Sequence, residues 1–308
     1  MNEINIIMYH YIRPATDNKY PGIKFLDLDG FKRQLDYLQE RFVVISVDQI
    51  LNSINNKSTL PKNACWLTFD DGYKDHYNYV FPELKKRKLQ GSFFPPRDVI
   101  KNSELLDVNS IHHILSKCKN ISELRVSLDK LCLESSIKSS ELKYFWDKYG
   151  VPNRWDNATT IYIKRMLQHA LPEENRNFIT QKLFQEYVGI SQKELSNELY
   201  MSVSEIRELV KEGMHVGSHG SRHYWLNKIT KENQRIDIRD SLEFLEDVGA
   251  STKDWVMCYP YGAYNSDTLS LINSLGAKIG ITCEARKANL DLDNQLTLPR
   301  FDTNDFTQ

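Results

Sequence analysis

The chain has 308 residues, 41% hydrophobic and 26% charged, with 40 basic against 41 acidic side chains and a net charge of −1. This is the composition of an ordinary soluble globular protein, and its balance excludes a global pull toward nucleic acid or an anionic membrane. No apolar run is long enough to span a bilayer, the five cysteines (Cys65, Cys118, Cys132, Cys258, Cys283) form no CxxC pair, and the first residues lack the pattern of an export signal, so a cytoplasmic protein is expected.

Short apolar runs alternate with helical periodicity along most of the chain. Strands are expected at 4–9, 42–46, 64–69 and 92–95, and again at 214–218, 255–259, 278–282 and 295–300. Helices are expected between them at 30–40, 75–88, 204–212, 231–248 and 266–275. Gly91, Gly213, Gly249 and Gly276 each follow a helical run, and Ser202 with Glu205 forms a capping box. The stretch 98–201 breaks the rhythm with helices at 111–117, 121–131, 141–149, 160–170, 173–187 and 192–199, Trp146 and Trp155 falling within it. The pattern predicts an α/β fold with a parallel sheet, open or closed into a barrel, over 1–97 and 202–308, with a helical insertion at 98–201.

The chemistry falls at strand ends. The run Leu67-Thr68-Phe69-Asp70-Asp71-Gly72 carries a strand into two adjacent carboxylates and a turn. Successive side chains on a strand point to opposite faces, so the two acids can take separate tasks, one at a metal and one at a proton; helix capping is the competing role. Of eight histidines, His215, His219 and His223 follow at four-residue spacing, the last two just past another strand. Two imidazoles and a carboxylate make a three-ligand set for zinc or a similar ion, and spacing alone does not choose between the pairs 215/219 and 219/223. A third strand ends in Cys258-Tyr259-Pro260-Tyr261-Gly262, a turn whose backbone N–H groups can stabilise an oxyanion. Asp75 and His76 are read as belonging to the first turn of the following helix. His112, His113 and His169 are read as surface or packing residues, and the Lys85–Lys88 run as a solvated helix face.

Together these elements resemble the polysaccharide deacetylases, carbohydrate esterase family 4, which share the NodB homology domain. Thr68-Phe69-Asp70-Asp71-Gly72 is similar to that family's first motif, His219-Gly220-Ser221-Arg222-His223 to its second and Tyr259-Pro260-Tyr261-Gly262 to its third. The resemblance covers roughly 1–97 and 202–303 and implies a distorted (β/α) barrel with its site at the C-terminal strand ends. Carried over, it implies Asp71, His219 and His223 as ligands of a divalent metal, zinc first with cobalt or nickel as alternatives. It likewise implies Asp70 as general base and the Tyr261 N–H as oxyanion donor.

Three departures stand out. Gly220 occupies a position where Ser or Thr is usual, the arginine normally upstream of Pro-Tyr is missing, and no histidine follows His223 to serve as general acid. The expected acid is His10, which ends the first strand as in the biofilm poly-N-acetylglucosamine deacetylases; in a closed barrel the first and last strands are neighbours. Arg300, which ends the last expected strand, is expected to pair with Asp70 in place of the missing arginine, a peripheral salt bridge being the alternative. The resemblance implies a hydrolase of an amide C–N bond that removes the N-acetyl group from a nucleotide-linked, lipid-linked or oligomeric sugar in surface-glycan synthesis. The alternatives are a hydrolase of another small amide and a non-catalytic sugar-binding protein on a decayed scaffold.

Overall fold

The computed structural model describes residues 2–305 apart from 18, 21, 57, 154 and 155; Trp155 therefore lies outside the described residues. In chain order the strands are β1 (Glu3–Tyr9), β2 (Ile12–Arg13), β3 (Leu26–Asp27), β4 (Val43–Val44), β5 (Ala64–Asp70), β6 (Ser92–Phe94), β7 (His215–Val216), β8 (Val256–Cys258), β9 (Ile279–Ile281), β10 (Ala288–Asn289) and β11 (Phe301–Asp302).

Parallel pairing runs β11-β1-β5-β6-β7, with β4 beside the start of β5. Two parallel bridges then close the circle. Ser218 joins Met257 at the head of the parallel β8–β9 pair, and Ile281 joins Leu298 just before β11. The strands thus form a distorted (β/α) barrel in which the first and last are hydrogen-bonded neighbours, Ile7 opposite Phe301.

Alternation along the strands fills two layers. Ile4, Ile6, Ala64, Trp66, Val256, Cys258, Ile279 and Ile281 pack together inside the barrel. Their neighbours Ile7, Tyr9, Cys65, Leu67 and Phe69 face helices such as Leu28–Arg41, which buries Phe31, Leu35 and Leu38 against them. A strand buried on both faces reads as continuous apolar sequence, which β5 does.

The last expected strand, 295–300, is placed differently. Gln295–Thr297 forms a 3₁₀ turn, Leu298 makes a single bridge, and pairing resumes only at Phe301, because Pro299 has no N–H to give a ladder. The helix expected at 75–88 opens with a π turn, His76–Val80, and continues as Phe81–Arg87. Lys88, with φ +57°, closes it in the left-handed conformation, so Gly91 is not its cap. A Cβ at Gly91 would lie 2.7 Å from Leu84 Cδ1 and 2.9 Å from Phe69 Cε2; glycine is needed there for close approach. Lys85 pairs with Glu212, and Arg87 with Glu83 and Asp36.

Backbone contacts divide the chain into two units: 2–18, 25–103 and 197–305 in the first, 19–24 and 104–196 in the second. The second holds helices and no strand among its described residues, packed around Ile111, Leu124, Leu128, Ile163, Leu183 and Phe184. His113 is buried there, its Nδ1 2.8 Å from the Asn109 carbonyl oxygen, and Trp146 packs against Tyr162 with Arg125 over its ring.

His76 is wholly buried in the first unit, and burial holds its imidazole down at about 4, partly offset by a bond to the His10 carbonyl. Between about pH 6.5 and 4 the unfolded chain takes up a proton that the folded chain refuses, so stability falls as pH falls through that window. Replacing the group with His76→Phe is expected to remove roughly 3 kcal/mol of that loss. Urea unfolding at a series of pH values measures it, and an unchanged pH dependence would contradict the assignment.

Candidate active site

The site is built from the C-terminal ends of β1, β5, β7 and β8 and from the start of β11. On β5, Thr68 and Asp70 continue the inward parity of Trp66, so Asp70 points into the barrel mouth. Asp71 would point outward if the strand continued. Instead Asp71 and Gly72 take φ +71° and +69°, and the chain turns at once. His223 (φ +56°) and Tyr261 (φ +58°) are also left-handed, a conformation costly for non-glycine residues and concentrated at functional sites.

Asp71, His219 and His223 converge, all buried, with donor atoms within 4.8 Å of one another. His219 Nε2 lies 3.4 Å and His223 Nε2 3.3 Å from Asp71 Oδ1. The other Asp71 oxygen accepts from the Tyr73 hydroxyl at 2.7 Å. His219 Nδ1 is 2.7 Å from the Cys258 carbonyl oxygen, which can only accept, so Nδ1 carries the proton, and the tautomer this fixes has its Nε2 lone pair toward Asp71. Among the described residues, Asp71 Oδ1 is left buried without a hydrogen-bond donor.

A lone pair on His219 Nε2 facing a buried carboxylate oxygen is unfavourable unless a cation lies between them, and one carboxylate oxygen with two imidazole nitrogens is a donor set suited to zinc. These residues fit a divalent metal. Burial also lowers the His223 pKa, against the pull of Asp71, favouring the neutral ring that a metal needs. His215, by contrast, is carried by β7, with its ring 5.9 Å from that of Phe94, and is not in the set.

Residues with no sequence signal hold the second motif in place. The Asp98 carboxylate accepts from the Ser221 hydroxyl, and the Arg97 and Asp98 N–H groups donate to the Gly220 and Ser221 carbonyls. Asp237, on the helix Lys231–Asp247, accepts the Arg222 N–H at 2.8 Å. A Cβ on Gly220 would lie 2.5 Å from Asp237 Oδ2, and Gly220 has φ +70°. The departure from the usual Ser or Thr thus has a local cause: the Asp237 carboxylate occupies the space such a side chain would need.

Asp70 is held by Arg300 through two parallel bonds of 2.9 and 2.8 Å. The guanidinium, only 1% exposed, also donates to the Thr282 carbonyl and the Thr68 hydroxyl. Burial alone would raise the Asp70 pKa, but the Arg300 charge, helped by His219 and by the bonds themselves, brings it down to about 2. Arg300 is therefore a buried partner and not a peripheral bridge. Cys258 stands two residues before Pro260 with its thiol near Asp70; burial keeps that thiol protonated, and its small size leaves room for the guanidinium.

His10 follows the last residue of β1, whose Tyr9 pairs with Phe69, so it comes level with Asp70 and is near enough to act electrostatically on both aspartates. Tyr261 lies in the 3₁₀ turn Pro260–Gly262, its ring 4.7 Å from that of His223 and stacked on Trp225 at 4.5 Å. Asp75 is paired with Arg13 at 2.8 Å. His76 is not an ordinary first-turn residue: it is buried beneath His10.

The polysaccharide deacetylase family profile matches residues 57–115 and 174–280, more than half of the chain, and the chain belongs to that family. Among curated proteins, YxkH of Bacillus subtilis (strain 168) is 25% identical over 99 residues, a stretch that covers 32% of this chain and 35% of YxkH, about a third of that relative. Among solved structures, the Streptococcus pyogenes deacetylase PplD in complex with acetate superposes with a TM-score of 0.58 at 19% identity, over 97% of this chain and 92% of that one. IcaB from Ammonifex degensii does so with a TM-score of 0.57 at 18% identity, over 98% and 91% of the two chains. At these identities the likeness is one of fold, and it agrees with the distorted barrel described above.

Removing one half of a buried ion pair strands the other charge. Arg300→Met is expected to cost about 3–5 kcal/mol, and the double variant Arg300→Met/Asp70→Asn to regain part of it. Denaturant unfolding of the three proteins measures this; a single variant as stable as the parent would contradict the pairing.

Proposed function

We propose that this chain is a metal-dependent hydrolase that removes the N-acetyl group from an N-acetylated sugar in surface-glycan biosynthesis, the sugar being nucleotide-linked, lipid-linked or oligomeric. The observation that carries the reading is the buried, donorless Asp71 oxygen facing two imidazoles, beside a second carboxylate kept ionised by Arg300. Membership of the polysaccharide deacetylase family supports it, as does the acetate bound to the structural relative PplD.

On this reading Asp71, His219 and His223 hold a divalent cation, zinc first, with cobalt or nickel able to replace it. Bound there, the cation supplies Lewis-acid polarisation of the acetyl carbonyl and lowers the pKa of a water to about 7. Asp70, kept ionised by the Arg300 charge, takes the proton of the attacking water as the new O–C bond forms. The Tyr261 backbone N–H donates to the developing oxyanion. His10 delivers a proton to the nitrogen as the C–N bond breaks, giving acetate and a free amine. The helical residues 104–196, narrower than the expected 98–201, are inserted in the sequence of this catalytic unit.

Acetate release by zinc- or cobalt-loaded protein from nucleotide-linked and oligomeric N-acetyl sugars tests the reading. Asp70→Asn is expected to keep its metal and lose at least about a hundredfold in rate. Metal bound without acetate release from any of these sugars would leave the sugar deacetylase reading without support. Turnover retained in Asp70→Asn would remove Asp70 as the base.

A further inference from the structure

The buried imidazole of His76 has no part in the reaction outlined above. It is 0% exposed, and the rings of Phe69, Tyr73 and Phe93 surround it with centroids 5.6, 5.6 and 5.9 Å away. Its Nε2 lies 2.8 Å from the His10 carbonyl oxygen. A carbonyl can only accept, so Nε2 carries the proton, and Nδ1 is left buried without a partner. An orphaned ring nitrogen in an aromatic nest costs stability, and a phenylalanine would fill the same nest without that cost. Among the described residues, the imidazole's one hydrogen bond goes to the backbone of His10.

That contact ties together two parts of the site. His76 opens the π turn that follows the Asp70-Asp71-Gly72 turn, while His10 leaves the end of β1. Tyr9, opposite Phe69, is the last residue of β1 in register with β5, and His10 lies beyond the end of that strand. π turns are frequent where a helix must aim a side chain at a functional group.

We propose that His76 is a positioning residue for His10: its Nε2–H fixes the His10 carbonyl and hence the backbone from which that imidazole faces Asp70 and Asp71. The inference rests on the reading of His10 as the acid that protonates the leaving amine. Proton transfer tolerates little misplacement, so loosening the His10 backbone should slow turnover without weakening substrate or metal binding.

The test compares metal-loaded His76→Phe, His76→Gln and His10→Ala with the parent, using acetate release from a short N-acetylglucosamine oligomer and metal content. His76→Phe is expected to lose about tenfold or more in kcat, with KM and metal stoichiometry unchanged. His76→Gln, whose amide can still donate to the carbonyl, is expected to stay within about threefold of the parent. Independently of turnover, the ε2 proton of His76 should give a slowly exchanging signal in 15N-histidine spectra at pH 6. Absence of that signal would overturn the hydrogen bond. A His76→Phe rate equal to the parent's while His10→Ala is impaired, or a glutamine variant as impaired as the phenylalanine one, would overturn the positioning role. Full activity in His10→Ala would instead overturn the reading of His10 as the acid.

Discussion

The pairing of Arg300 with Asp70 is the interaction on which the arrangement depends. Two adjacent carboxylates, both buried, would repel each other and drive one toward the neutral acid. The guanidinium takes both oxygens of Asp70 and holds its pKa at about 2, so Asp70 remains charged inside the barrel. Asp71 is turned away by its left-handed backbone, bonded to Tyr73 on one oxygen and faced by two imidazoles on the other. One sequence doublet thereby supplies two carboxylates in different electrostatic surroundings, which is what assigning a metal ligand and a base requires.

Barrel closure supplies that arginine. Because β11 lies beside β1, and Leu298 beside Ile281, residue 300 comes to the strand ends on the same side as residues 10 and 70. Cys258 stands upstream of the Pro-Tyr turn, where the family pattern carries an arginine, and leaves the space that the Arg300 guanidinium enters from another strand. A positive charge beside the carboxylate is kept while its origin in the chain changes. A similar exchange operates at the second motif, where Asp237 takes up the room that a side chain at position 220 would need.

What the sequence made legible was local. A strand running into Asp-Asp-Gly, a strand followed by closely spaced histidines and a strand entering Pro-Tyr-Gly each announce themselves within ten residues, and all three fall at strand ends. The eight expected strands correspond to observed pairing except at 295–300, where Pro299 delays the ladder. Asp98, Asp237 and Tyr73 were not visible as site residues, because their roles arise from elements brought together by the fold and no spacing records them. His76 opens the following helix as expected, but its burial beneath the end of β1 is likewise recorded by no local spacing. The choice between the two histidine pairs required the turn at Gly220, whose positive φ sends the chain back so that His223, and not His215, reaches Asp71.

The central claim is that Asp71, His219 and His223 form a metal centre while Asp70 stays bound to Arg300. Anomalous diffraction at the zinc edge from zinc-loaded crystals tests it most directly. The account predicts one peak bonded to Asp71 Oδ1 and to the Nε2 atoms of His219 and His223, with the Asp70–Arg300 pair intact. A peak ligated by Asp70, or one placed away from the two imidazoles, would contradict it.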